Sequence, residues 1–454
     1  MLNVNNILEA TKGKKINGEN LDILSYSISS NEINEKCMFI PLKGEKTDGH
    51  KYIISAVKNG CIGFLISKNY NNKVDVIEES LKINEKIIII EVEDTLEALK
   101  NMARYVRRKN NDIPVIAVTG SVGKTSTREM INSVLSKKYS VLKTIKNYNS
   151  NIGIPLMLLM YNNEEIMLLE AGMDGKGQLE EISDIIKPNL SVITNIGTAH
   201  IGILGSRENI FKAKMEITKG MNEDSTLIIN QDDDYLRKVK DKNLIKISQE
   251  NVQNIILKED STEFDYKGNH FIINVPGRFQ IYNALIAIEI GIKFDIPMNL
   301  IKEGIEEYKN FEKRMQKYEF KNDFIVIDDS YNASLTSMKY GLEIINKCKS
   351  SNKIIVLGDM LELGEYSKSL HEELGTEINK YNFTKIYLYG NKIKYCYDKI
   401  SNKTNVKYFN DKEELIKNIL KSDCNKDTTI YFKASNGMKL YDVIDKIINY
   451  ENLI

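Results

Sequence analysis

Tryptophan is absent from this 454-residue chain, and proline occurs only six times. Both shortages accompany an excess of lysine, asparagine and isoleucine, so they read as compositional bias and not as chemistry. The five cysteines (Cys37, Cys61, Cys348, Cys396 and Cys424) are odd in number and widely spaced, and no Cys-x-x-Cys pair occurs. That excludes a zinc framework and a disulfide scaffold, and it leaves reduced, buried thiols as the expectation. Net charge is lacking too: 63 basic side chains balance 63 acidic ones. No general basic field exists to hold nucleic acid or a membrane surface. Aliphatic runs such as 87–90 fall far short of the ~20 residues that span a bilayer. The opening MLNVNNILEA has no basic start followed by an apolar core, so no signal peptide is expected. The expectation is a soluble, cytoplasmic protein with no nucleic-acid partner and no membrane insertion.

The chain is too long for one ordinary core. Its 42% hydrophobic and 28% charged residues are values of a folded protein. Three textures divide it. Residues 1–92 mix short strands (37–42, 63–67) with a helix around 52–58. A helix over 95–109 follows, with Leu96, Leu99, Met102 and Val106 at helical spacing; its basic end, Arg107-Arg108-Lys109, reads as a solvated C-terminus. Buried strands at 113–118, 166–170 and 190–194 alternate with helices, the pattern of a parallel sheet covered on both faces. From about 313, strands at 324–327, 354–357, 386–389 and 429–432 alternate with helices again. The expected fold is α/β in three domains: a small α/β domain over 1–92, a central P-loop parallel sheet with helices on both faces over 93–312, and a smaller Rossmann-like domain over 313–454.

The strongest motif is Val118-Thr119-Gly120-Ser121-Val122-Gly123-Lys124-Thr125-Ser126, set between a β-branched run and a helix. Gly120 and Gly123 permit a tight turn whose successive N–H groups point at phosphate oxygens. The helix from Lys124 aims its positive end at the same anion. Lys124 is expected to neutralise the terminal phosphates of ATP, and the Thr125 hydroxyl to ligate Mg²⁺. The first glycine of the longer P-loop is replaced by Val118, leaving Gly-x-x-Gly-Lys-Thr.

This short loop after a strand resembles that of the Mur ligases. Further segments fit the same family in the same order: Asn149-Ser150-Asn151-Ile152-Gly153-Ile154-Pro155, Leu168-Leu169-Glu170-Ala171-Gly172-Met173, Thr194-Asn195-Ile196-Gly197-Thr198-Ala199-His200, Ala213-Lys214-Met215-Glu216-Ile217 and Tyr282-Asn283-Ala284. Ile327-Asp328-Asp329-Ser330-Tyr331-Asn332-Ala333 and Val356-Leu357-Gly358-Asp359-Met360-Leu361-Glu362-Leu363-Gly364 resemble the branch that joins D-alanyl-D-alanine to a UDP-N-acetylmuramoyl-tripeptide. Phe39 to Gly44, with Asp48-Gly49-His50, resembles its UDP-sugar-binding module. The resemblance implies an ATP-dependent amide-forming ligase acting through an acyl phosphate, with small-molecule substrates and a monomeric enzyme. It also implies that Glu170 binds Mg²⁺, that His200 and a carbamylated Lys214 hold a second Mg²⁺, and that Asn283 lies beside adenine.

Each residue has its own physical reading beside that one. Glu170 ends a hydrophobic strand, where open α/β sheets bind ligands, and its hard oxygen suits Mg²⁺. Alone, Lys214 reads as a solvated lysine on a helix over 208–221. Arg314 begins the last stretch and reaches ATP phosphates only if that domain closes; Asp329 and Asn332 follow a buried strand on the same domain and are expected to bind ATP. His371 reads as an ordinary helix-surface histidine.

Four places depart from the family pattern: Ser29-Ser30-Asn31 and Lys433-Ala434-Ser435-Asn436 each lose an arginine, and Phe279-Gln280 and Ser334-Leu335 replace other pairs. Asparagine cannot replace arginine's paired, charged hydrogen bonds. A Mur-type ligase joining a different amino acid or peptide therefore stays open. So does a P-loop ATPase switch, although the separate strand aspartate and arginine finger of such proteins are not evident.

Overall fold

The computed structural model describes residues 1–241 and 243–451. A six-stranded, all-parallel sheet forms the middle of the chain, in the order Leu244–Ile247, Thr226–Asn230, Leu190–Ile193, Val115–Thr119, Ile166–Glu170, Val141–Lys143. The strand Val115–Thr119 is buried throughout, and alternate side chains leave it in opposite directions. Val115 and Ala117 join one apolar cluster with Leu156 and Leu179, while Ile116 and Val118 join a second with Ile131, Ile281 and Leu285. Helices thus cover both faces, as the unbroken apolar runs require. The phosphate-loop strand lies between Leu190–Ile193 and Ile166–Glu170, at the point where the strand order reverses and open sheets leave a crevice.

A second six-stranded sheet, in the order Gln316–Phe320, Phe324–Asp328, Thr428–Lys433, Asn352–Gly358, Lys385–Tyr389, Val406–Phe409, is parallel except for its first strand. Residues 14–92 build a five-stranded sheet with one antiparallel edge, Lys14–Asn17. A three-stranded antiparallel sheet over Gln253–Leu257, Thr262–Tyr266 and Asn269–Ile273 was not expected from the sequence. Its middle strand alternates buried and half-buried residues, and Phe264 stacks on Phe271 over the helix Gln280–Lys293. Among the described residues no helix is long and apolar enough to cross a membrane.

The helix Thr95–Lys109 starts where expected, with Asp94 accepting the Leu96 and Glu97 N–H groups at 2.8 Å. At its end Arg108 and Lys109 are exposed, as expected, but Arg107 is not. Arg107 is buried and donates to the carbonyls of Ile186 (2.7 Å) and Asn110 (2.5 Å). The guanidinium serves orphan helix-end carbonyls, which no local sequence pattern reveals. The helix expected over 208–221 is shorter, Arg207–Met215, and passes into a 3₁₀ turn over Glu216–Thr218.

His371 is a second correction: it is fully buried, not on a helix surface. Its Nδ1 donates to Ser367 O at 2.7 Å, and its Nε2 accepts the Met360 N–H at 3.0 Å. Both ring nitrogens are thus committed in the neutral form, and the ring ties the loop after Asn352–Gly358 to the helix Ser367–Ile378. Burial lowers the His371 pKa below its ordinary 6.5. The unfolded chain binds a proton that the native chain refuses, so this contribution to stability is complete above the unfolded pKa. It is lost as pH falls from 6.5 toward the lower native value. The urea midpoint is expected to drop between about pH 7.5 and about pH 5.5, and more steeply for the parent chain than for His371→Gln; equal slopes would exclude the histidine as the cause.

Candidate active site

The phosphate loop crosses the carboxyl end of Val115–Thr119 and enters the helix Lys124–Leu135. Gly120 has φ +148°, and a Cβ there would lie 1.9 Å from Thr194 Oγ1; Gly123 has φ +86°. Glycine is required at the first position by packing and favoured at both by backbone conformation. The structure modifies the expected anion cradle. The Ser121 N–H donates to Asn195 O and the Val122 N–H to Asn195 Oδ1, both at 3.0 Å. Asn195 returns a bond from its Nδ2 to Val122 O at 2.8 Å. Two of the loop's N–H groups are therefore spent on shaping the loop. The donors left for an anion are those of the first helical turn, from Gly123 onward, which have no intrahelical acceptor.

Beside the loop lies a cavity of about 480 Å³, walled by the central and C-terminal sheets' loops. Ser121, Val122, Gly123, Lys124, Ser126 and Glu170 line it from the central sheet, with His200 and Lys214. Arg314, Asp329 and Asn332 line it from the other side. Most expected site residues thus meet in one place, though they span much of the chain.

Glu170 is the acidic centre of this wall. Asn149 Nδ2 donates to its Oε1 at 3.0 Å, and Arg128 donates to its Oε2 at 3.4 Å. Burial works against the carboxylate, but Lys124, Arg128 and Arg314 outweigh it and hold the Glu170 pKa below its usual value. Arg128 was not singled out from the sequence. It lies one helical turn beyond Lys124, is almost fully buried, and also pairs with Glu129. No local pattern marks it, because its face of the helix also carries Lys124, Thr125 and Asn132.

Lys124 Nζ donates to Gly120 O at 2.9 Å. Desolvation lowers its pKa, opposed by Glu170 and reinforced by Arg314. Lys214 is 2% exposed, and among the described residues no carboxylate pairs with it. Burial first, and the Lys124 charge second, push its pKa well below 10.5 and favour the neutral amine. The sequence reading of Lys214 as a solvated helix lysine is thereby overturned by its burial.

Arg314 sits in the connection between the two large sheets, flanked by Lys313 and Met315 at φ +58° and +52°. It donates to Thr125 Oγ1 at 3.0 Å and stacks 4.3 Å over the Tyr331 ring, while its buried Nε has no partner among the described residues. It is no mere linker charge. His200, at φ +62°, brings Nδ1 to 2.9 Å from Glu362 Oε2, but outside hydrogen-bonding alignment. Glu362 comes from the C-terminal sheet, so this approach joins the two halves. Next to it, Gly202 packs on Gly364 so closely that a Cβ at Gly202 would meet Gly364 N at 2.4 Å. Phe279 stacks on Tyr340 across the same boundary at 5.1 Å.

Asn283, expected beside adenine, has its amide engaged within the protein. Its Oδ1 accepts from Thr127 at 2.8 Å and its Nδ2 donates to Gln280 at 2.8 Å. Both ends of the amide are used behind the loop, away from the cavity wall. Thr125 likewise presents its hydroxyl to Arg314 from beneath that wall.

The donor set suits Mg²⁺. Among the described residues there is no cluster of three or more His, Cys, Asp or Glu side chains. One carboxylate and one hydroxyl beside an anion cradle is what a hard cation needs when substrate phosphates and water complete its shell.

Family models agree with this architecture. A Mur ligase family catalytic domain matches residues 22–107, a Mur ligase middle domain 118–291, and a Mur ligase glutamate ligase domain 313–436. The chain is 34% identical over 460 residues to the UDP-N-acetylmuramoyl-tripeptide--D-alanyl-D-alanine ligase of Bacillus subtilis, covering 98% of both chains. It is 34% identical to the ligase of the same name from Rickettsia prowazekii, over 93% of this chain and 94% of that one. Among solved structures, MurF from Acinetobacter baumannii superposes with a TM-score of 0.86 at 26% identity, over 98% of each chain. MurF ligase from Thermotoga maritima in complex with ADP does so at 0.79 and 27%, over 93% and 96%. With this match running through the sheets, the loop and the cavity alike, the chain belongs to the Mur ligase family.

Proposed function

We propose that this chain is an ATP-dependent ligase that joins D-alanyl-D-alanine to a UDP-N-acetylmuramoyl-tripeptide in the cytoplasm, as a step of peptidoglycan precursor synthesis. The observation that carries this reading is the single cavity in which the phosphate loop, Glu170 and Lys214 face Arg314, Asp329 and Asn332. Relatives that share its full length bear that ligase name. We take the chain to act as a monomer. The division proposed is a UDP-sugar-binding part over 1–92, an ATP-binding part over 93–312 and a closing part over 313–454.

In this scheme the first helical turn and Lys124 receive the phosphates of ATP, with Ser121, Val122 and Asn283 shaping the loop from behind. Thr125 and Glu170 would hold one Mg²⁺, and His200 with a carbamylated Lys214 a second; bound there, Mg²⁺ would offset charge on the phosphates. Arg314 moves from Thr125 to the phosphates as they arrive. The terminal carboxylate of the tripeptide attacks the γ-phosphorus in line, and Lys124 and Arg314 stabilise the transferring group. ADP and an acyl phosphate result. The amine of the dipeptide attacks the acyl carbon, and phosphate leaves as the amide forms. The Gly202–Gly364 contact and the Phe279–Tyr340 stack shield the acyl phosphate from water. The low pKa of Lys214 favours carbamylation, because only the neutral amine attacks carbon dioxide.

Phosphate release by the purified chain with ATP, Mg²⁺ and the UDP-tripeptide is expected to require D-alanyl-D-alanine and to yield the pentapeptide. Release that ignores the acceptor would favour an ATPase switch instead. Lys124→Ala is expected to lower acceptor-dependent turnover by about a thousandfold or more; near-parent turnover would sink the assignment of the loop. Addition of ¹³C-bicarbonate is expected to produce a carbamate carbonyl resonance that Lys214→Met lacks. A spectrum identical in the two proteins would remove Lys214 from the proposed ligands.

A further inference from the structure

The C-terminal wall of the cavity contains an ion pair, Lys433 with Asp329, to which the proposed reaction gives no task. Lys433 ends the strand Thr428–Lys433 and is 2% exposed. Its Nζ lies 2.6 Å from Asp329 Oδ2, 3.3 Å from Asp329 O and 3.1 Å from Asn332 O. An ammonium has three hydrogens to donate, and here all three are directed at one turn, residues 329–332. Tyr431, two residues earlier and on the same face of the strand, donates from its hydroxyl to the same Asp329 Oδ2 at 2.9 Å.

The surrounding chain makes room for this arrangement. The helix Leu335–Lys347 passes directly over Tyr431, and a Cβ at Gly341 would lie 1.8 Å from the tyrosine hydroxyl. Burial, with Asp329 beside it, raises the Tyr431 pKa well above 10.0, so the phenol remains a donor. The turn begins in register with the same strand, for Asp328 is paired with Phe432 and the Asp329 N–H donates to Phe432 O at 2.9 Å. Among the described residues no hydrogen bond reaches Asp329 Oδ1, and both Asp329 and Asn332 line the cavity. A buried ion pair is a poor source of stability, because desolvation consumes most of the attraction. What three donors to one turn supply is a fixed shape.

We infer that Lys433, aided by Tyr431, is a positioning residue that holds the 329–332 turn in the one shape in which Asp329 Oδ1 and Asn332 meet the nucleotide. The inference rests on the ATP-binding part of the proposed function, and not on the identity of the acceptor. It separates the two oxygens of Asp329: Oδ2 belongs to the fold, Oδ1 to the ligand.

The test is calorimetric binding of a non-hydrolysable ATP analogue to the full chain with Mg²⁺, beside binding of the UDP-tripeptide. Lys433→Met is expected to weaken the nucleotide about tenfold to a hundredfold, the range of a hydrogen bond to a charged group, and to leave the UDP-tripeptide within about twofold. Asp329→Asn with Lys433→Met together is expected to bind no more weakly than Asp329→Asn alone, because one residue acts through the other. Additive losses, or parent-like nucleotide affinity in Lys433→Met, would overturn the inference. Should Lys433→Met fail to fold, Tyr431→Phe removes a donor and no charge: a loss of a few-fold for nucleotide alone is expected, and unchanged affinity counts against it. A parent chain that binds no nucleotide would instead defeat the proposed function itself.

Discussion

The cations of the phosphate-loop wall converge on one buried carboxylate, Glu170. Lys124, Arg128 and Arg314 all act on Glu170; Arg128 also pairs with Glu129, which it shares with Lys143, and Asp174 acts on Lys124 as well. Lys214 adds a buried amine with no acidic partner among the described residues. Amines buried without a carboxylate paired to them are costly to keep charged unless an anion arrives. The cost shows in the depressed pKa values of Lys124 and Lys214. An anion bound beside Lys124 opposes that shift and favours its charged form.

The same constraint explains why the two large sheets meet where they do. Arg314 is carried by the connection between them, yet its guanidinium rests on Thr125 of the phosphate loop. Its neighbours at positive φ hold the chain in a bend that non-glycine residues adopt at some cost. Closeness elsewhere along the boundary is achieved by omission of side chains, as at Gly202 against Gly364. Contacts between bare backbones tolerate no small shift, so they define one registered arrangement. Placing a charge from one half onto the loop of the other makes nucleotide binding and domain arrangement depend on each other.

Much of this was legible in the sequence, for physical reasons that differ by level. Strands such as Ile166–Glu170 and Gly63–Ser67 were readable because both of their faces are buried, which leaves an unbroken apolar run. The phosphate loop was readable because its glycines answer a local backbone demand. What stayed hidden depends on partners far away in the chain. Arg107 looks solvated until Ile186 and Asn110 are placed beside it, and His371 looks like a helix-surface residue until Met360 folds over it. Asn195 takes two loop N–H groups that the motif alone would assign to phosphate. Asn283 sits in the expected segment, yet packs behind the loop, because Thr127 and Gln280 use both ends of its amide.

The two lost arginines fall in unlike surroundings, and this limits what can replace them. Asn31 is exposed on a loop, where a long side chain from elsewhere could supply the missing charge at little cost. Asn436 lines the cavity, where any substitute must already be within reach. The nearest cation along the strand is Lys433, but its three hydrogens are directed at Asp329 and Asn332. It cannot serve an incoming carboxylate without releasing that turn. On this side of the cavity Arg314 is the cation not held by a carboxylate among the described residues, and the phosphates compete for it. A carboxylate bound beside Asn436 would therefore meet neutral hydrogen bonds from groups such as Asn436 itself, and shape more than charge.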